Sequence, residues 1–320
     1  MSSYASILTQ ILSNITLYID YITLIFGTIG GICNLITFTS RQMRQSAAVF
    51  YLLYGTIFQL LTILYCVSMR LFYDRSGSNL QNESSIFCKL RYYFVVTLPA
   101  LASYYMFLAT LDRCFCTSIN VKIRAWSEIK IAKRLSICMP IVGFIISIHI
   151  FILYDIYNNL CQIKPGSIYT FIFTGYLIVI VTFLPNILML IFSLITVSAV
   201  RNSRQRVNTT NRVNSMPNGQ RPQRLELKLI KIIVIQVVLS VLLSLLRLGS
   251  YSYYIIANSI SNPTINQRSA AGFAISLGGS LYFFSYAIPF YASMISTKYF
   301  RDIFYQRILL FYRRCLRQFI

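Results

Sequence analysis

The chain has 320 residues, of which 56% are hydrophobic and 12% charged, with a mean hydropathy of +0.63 and a formal net charge of +21. A soluble domain carries about 25% charged residues, and its core has no use for apolar blocks as long as these, which excludes a soluble enzyme. The excess charge does not point to nucleic acid, because the basic residues fall between the apolar blocks, as in cytoplasmic loops of membrane proteins. The fold class expected is an all-α membrane protein, a seven-transmembrane-helix bundle with a C-terminal amphipathic helix lying parallel to the membrane.

Residues 1–16 read as an extracellular tail without the basic stretch or cleavage site of a signal peptide. They contain a glycosylation sequon at Asn14. Span 1 is expected at 17–40, with glycines for close helix approach and Asn34 as an interhelical hydrogen-bonder. Span 2 (46–70) has Gln59 at its centre and Arg70 at its end. A second sequon, Asn82, lies in the following polar loop. Span 3 (88–117) starts at Cys88 and ends near Asp112-Arg113. From Cys88 to Arg113 is roughly 38 Å of helix at about 1.5 Å per residue, enough to cross a hydrocarbon core of about 30 Å. Span 4 (133–157) is read as broken by Pro140 and holds His149, a packing residue. Cys161 sits in the short loop after it. Span 5 (168–200) has Pro185 near its middle. Residues 201–224 are polar and basic and read as a flexible loop. Span 6 (225–257) is interrupted by Arg247, and span 7 (269–297) carries Pro289. These spans make one membrane domain, 17–297. The remainder, 298–320, is basic with Phe300, Ile303, Phe304, Ile308 and Phe311 at helical spacing, fit for an anionic leaflet. Cys315 is its palmitoylation candidate.

Of the 29 Lys and Arg residues, 22 lie in the loops and tail on the Arg113 side. The positive-inside rule therefore puts Arg113 and the C-terminus in the cytoplasm and the N-terminus outside. The sequons at Asn14 and Asn82 then lie outside, and a third, Asn208, inside. Cys88 and Cys161 both face the oxidising side, so a disulfide between them is expected. Asp112-Arg113 is an ionic pair at a membrane boundary, where ionisable residues tend to mark function. Glu226, at the start of span 6, is a second expected partner for Arg113. Arg247 is a cation in the outer third of the bilayer. It reads either as a ligand contact or as a side chain snorkelling to the interface. Arg70 reads the same way. Tyr251, Tyr253 and Tyr254 read either as a pocket mouth or as an interfacial belt. No P-loop, GxSxG or HExxH motif is present, so neither an enzyme nor a cofactor is expected.

These features together resemble a rhodopsin-like (class A) G-protein-coupled receptor, over nearly the whole chain. The resemblance rests on Cys88, Asp112-Arg113-Cys114 and Cys161, on Gly30 to Asn34 in span 1 and on Phe183-Leu184-Pro185 in span 5. Pro289 with Tyr291 is similar to the family's span 7 motif, and Phe300-Arg301 to the start of its eighth helix. The pattern is similar to divergent invertebrate peptide-type or chemosensory-type receptors. The chain departs from the family at Gln59, where an aspartate is usual, at Ile288 before Pro289, and in lacking the tryptophans of spans 4 and 6. The resemblance implies a multi-pass plasma-membrane receptor for an extracellular ligand, a peptide or a small molecule. It implies activation of a heterotrimeric G protein through Asp112, Arg113 and Glu226. Since the tail lacks serine and threonine, arrestin recruitment would use Ser203, Thr209, Thr210 and Ser215. The alternatives are a transporter or channel, and a receptor-like protein that does not couple.

Overall fold

A computed structural model of the chain describes residues 2–76, 80–164, 166–210, 220–259 and 265–319, with side chains for 13–73, 82–164, 166–202, 227–257, 267 and 269–313. Among the described residues six helices are long and apolar enough to cross a membrane: α1 (Ser13–Phe38), α2 (Ala47–Tyr73), α3 (Ser85–Cys116), α4 (Ile129–Leu153), α5 (Ile168–Asn202) and α6 (Leu227–Ala257). A bent pair, α7 (Ser269–Phe284 and Pro289–Ser296), turns by 52° at its break and adds a seventh crossing if counted as one span. The last helix is α8 (Lys298–Phe319). Between α4 and α5 stands a two-stranded antiparallel hairpin, β1 (Tyr154–Tyr157) and β2 (Leu160–Ile163). The chain is thus a multi-pass membrane bundle, helical except for this hairpin among the described residues.

Burial divides the helices into a centre and a rim. α2 and α3 bury 67% and 56% of their apolar windows, against 17% and 22% for α4 and α5. The rim helices turn Ile141, Ile145 and Phe171 outward, a face that suits hydrocarbon. At the centre Tyr105 of α3 is fully buried, stacks on Phe58 of α2 and donates its hydroxyl to the Ser136 carbonyl of α4. A Cβ on Gly31 of α1 would collide with Leu60 of α2. The glycine is what lets these two backbones approach, as small residues do in lipid.

Local chemistry sets the ends. Ser84 caps α3, its hydroxyl accepting from the Phe87 amide, and removes one orphan donor from the first turn. α7 breaks where Pro289 has no N–H to continue the ladder. Near that break the Ser285 hydroxyl donates to the Tyr282 carbonyl at 2.6 Å.

Several sequence expectations are corrected. Span 4 does not reach residue 157: Asn158 and Asn159 both adopt positive φ (54° and 59°), the geometry of a two-residue type I′ hairpin turn, so 154–157 is a strand. Pro140 does not break α4, which runs through it to Ile146 and is interrupted at Ser147. Residues 201–210 and 220–224 are helical extensions of α5 and α6 and not loop. The stretch expected as a separate N-terminal tail is helical from Ser2 onward.

Candidate functional site

Two polar sites sit at opposite ends of α3. At the Arg113 end, Asp112 and Arg113 are both buried, at 4% and 2% exposure. Arg113 Nη2 lies 2.5 Å and Nε 3.2 Å from Asp112 Oδ2. Arg113 Nη2 also donates to Ser46 Oγ at 2.9 Å, and Ser127 Oγ donates to Asp112 Oδ1 at 2.6 Å. Ser46 begins α2 and Ser127 lies in the segment after α3, so the pair ties three pieces of chain together. An ionic pair this buried is stable only while its hydrogen bonds are made, since a lone charge left there costs several kcal/mol. Ser46 and Ser127 were not singled out from the sequence. Ser46 had a signal, as a helix-cap residue directly before an apolar run, but Ser127 had none. The side chain of Glu226 lies outside the described residues.

At the other end Cys88 of α3 is bonded to Cys161 of β2, with Cα atoms 5.7 Å apart. The hairpin is also fixed by polar contacts. Ser85 Oγ donates to Asp155 Oδ1 at 2.7 Å, Lys89 Nζ lies 3.2 Å from Asp155 Oδ2, and the Cys161 amide donates to Asn82 Oδ1 at 2.9 Å. The Ser85 hydrogen bond first, then the Ile156 amide and the Lys89 ammonium, hold the Asp155 carboxyl below the usual carboxylate range. Tyr154 stacks on Tyr92 of α3 with centroids 4.2 Å apart. The hairpin therefore sits as a lid on the end of the bundle. Its signal in the sequence was Asn-Asn between alternating apolar residues.

Beneath this end lies a cavity of about 50 Å³, room for roughly three or four waters. It is walled by Val96 and Pro99 of α3, Val181 and Thr182 of α5, Arg247 and Tyr251 of α6 and Tyr282 of α7. Arg247 stacks its guanidinium 4.0 Å from the centre of the Tyr282 ring. Its side chain thus lies over that ring and on the cavity wall. Tyr251 lines the cavity, while Tyr253 and Tyr254 are exposed and do not.

Arg70 is elsewhere. Its Nε lies 2.9 Å from Asp20 Oδ2 of α1, and its Nη2 donates to Ser276 O and Oγ of α7, both at 2.8 Å. A Cβ on Gly279 would stand 2.7 Å from that guanidinium, so the glycine makes the space for it. Arg70 is a clasp joining α1, α2 and α7 and does not line the cavity with Arg247.

The middle of the bundle gathers the remaining motif residues. Asn34, Gln59, Gln236 and Pro289 border a void of about 10 Å³. Gln236 Nε2 donates to Ser293 Oγ at 3.0 Å and to Pro289 O at 3.3 Å, joining α6 to α7. Tyr291 donates to the Phe26 carbonyl of α1 at 3.0 Å. Pro185 follows a wide π turn at Tyr176–Phe183, where the missing N–H removes the regular donor to Val181. His149 packs against Tyr176 with centroids 4.9 Å apart and holds the Ile146 carbonyl through Nδ1. In α8, Phe300, Ile303 and Phe304 are buried against the bundle, whereas Ile308 and Phe311 remain exposed. Asn14 is exposed on α1. The side chains of Cys315, Asn208 and the third-loop serines and threonines lie outside the described residues. No protein-family model matches the chain, and no curated protein is significantly similar to it.

Proposed function

We propose that the chain is a seven-span receptor of the rhodopsin-like G-protein-coupled type in the plasma membrane, N-terminus outside, with α8 lying along the inner leaflet. The observation that carries this reading is the buried Asp112–Arg113 pair, braced by Ser46 and Ser127. In this resting state the guanidinium is engaged within the protein. A receptor opens by exchanging those contacts for acceptors on the C-terminal helix of a G-protein α subunit. The exchange is a population shift, driven by whatever ligand binds the open state better.

Arg247 and Tyr282 are the ligand-facing groups in this proposal. The cavity they share is far smaller than the roughly 300–1,000 Å³ of a drug-sized site. It has room for a carboxyl group or a short side chain. A ligand of that kind would place its anionic or carbonyl terminus on Arg247 and the remainder against the hairpin, a demand that a peptide meets. The disulfide keeps the hairpin over the entrance.

The test is guanine-nucleotide exchange by a heterotrimeric G protein added to the protein in lipid, across a panel of peptides and small amines. Exchange should rise with an activating ligand and vanish in Arg113→Ala compared at equal amounts of folded protein in lipid. Exchange undiminished in that variant refutes the mechanism. A substrate flux in proteoliposomes, with no nucleotide effect on ligand affinity, would replace it with transport.

A further inference from the structure

We propose that the segment from Ile119 to Trp126 is an interfacial anchor whose partner is the anionic headgroup layer of the adjoining lipid leaflet. After α3 ends, Asn120 caps a short helix at Val121–Arg124, with the Lys122 amide donating to its Oδ1 at 3.0 Å. A tight turn at Ala125–Ser127 follows. Ser127 then reaches back to Asp112, four residues before the end of α3. That is roughly 6 Å along the helix at about 1.5 Å per residue. The segment therefore does not project from the bundle. It is pinned beside the last turn of α3, at the depth where the apolar spans give way to charge.

At that depth its apolar side chains have no protein cover. Ile119 is 82% exposed, Val121 67% and Trp126 64%. Exposed Lys122 and Arg124 alternate with them, and exposed Lys130 and Arg134 follow at the start of α4. Glu128 is the one acid between Arg113 and Asp155. Apolar and indole groups interleaved with cations match a layer that is apolar below and anionic above. A soluble partner could cover the apolar groups, but the depth fixed by Ser127 and the surplus of positive charge favour lipid. The same contact gives the docking a consequence: a segment seated in the leaflet holds Ser127 against Asp112. The inference requires only that the chain spans a membrane and stands whether or not it couples to a G protein.

Trp126 is the only tryptophan among 24 tyrosines, so emission excited at the red edge, where indole absorbs and tyrosine does not, reports this site alone. The protein is placed in vesicles of phosphatidylcholine, with and without phosphatidylserine. With phosphatidylserine present, emission should be blue-shifted, shielded from acrylamide, and quenched about twofold by lipid brominated high on the acyl chain, as insertion to about 5–10 Å requires. Lys122→Gln with Arg124→Gln should bring quenching down to the level seen in phosphatidylcholine alone. Water-like emission, open to acrylamide and indifferent to brominated lipid, overturns the proposal. Shielding that appears only on addition of a soluble protein overturns it in favour of a protein partner. Equal quenching with and without phosphatidylserine overturns the anionic assignment.

Discussion

Asp20→Asn is the sharpest test of how the bundle is held. The Asp20 side chain is fully buried and its partner Arg70 is 18% exposed. Removing one member of a buried pair costs about 3–5 kcal/mol. Here the leftover guanidinium keeps two hydrogen bonds to Ser276 and partial access to water, which screens it. We expect about 2 kcal/mol, roughly a thirtyfold shift in the folded-to-unfolded ratio, and a midpoint lower by about 5 °C. The assay is thermal unfolding of purified protein, followed by the reactivity of buried Cys66, for Asp20→Asn, Arg70→Gln and the double variant. If the charges act as a pair, the double variant loses less than the sum of the singles, with a coupling of about 1–2 kcal/mol. Losses that add to within about 0.5 kcal/mol would show that the contact contributes nothing as a pair.

Other outcomes follow from the two ends of α3. Ser127→Ala removes one charge-assisted hydrogen bond from Asp112, worth about 1.5–3 kcal/mol, and should raise ligand-free nucleotide exchange about tenfold or more; an unchanged basal rate refutes its bracing role. Arg247→Gln should weaken a carboxylate ligand about a hundredfold while leaving its amide analogue nearly unaffected, measured by competition binding, and equal losses for both would move the contact elsewhere. The lowered Asp155 carboxyl sets a pH dependence for the hairpin. Its contribution is complete above about pH 4, the unfolded value, and disappears as pH falls through the lower folded value. Hydrogen exchange of the hairpin amides, measured down through that range, should show the loss, and Ser85→Ala should move it to higher pH. Identical profiles in the two proteins would discard the Ser85 contact as its cause.

The long apolar blocks made the membrane helices legible, because crossing hydrocarbon demands length and apolarity whatever the neighbours are. Cys88 and Cys161 were legible because topology left them on the same side. The hairpin was missed since its strands continue the apolar run of α4, and hydropathy alone does not separate a strand from a helix end. Asn158-Asn159 carried the correction. Pro140 misled for the opposite reason: in lipid, neighbours can satisfy the group it frees, so the helix survives. Arg70 and Arg247 looked alike in sequence, each a cation near the outer end of a span. Only packing tells them apart, Asp20 and Ser276 claiming one and the ring of Tyr282 the other. Ser127 was invisible because its role depends on a turn that brings it back to Asp112.

The join between the first and last helices bears on the order in which the protein is made. Arg307 of α8 donates to the Thr39 carbonyl at the end of α1, and Phe300 packs edge-on against Phe38 with centroids 5.8 Å apart. Arg70 likewise waits for Ser276. Because synthesis runs from the N-terminal side, α1 meets these α8 partners only after the intervening spans have been made. Until then the Phe38 ring at the end of α1 lacks its Phe300 partner, a feature that quality control can read as unfinished. Chains cut before α8 should therefore be cleared during synthesis, and their absence from the cell surface would report failed assembly before it reported any loss of signalling.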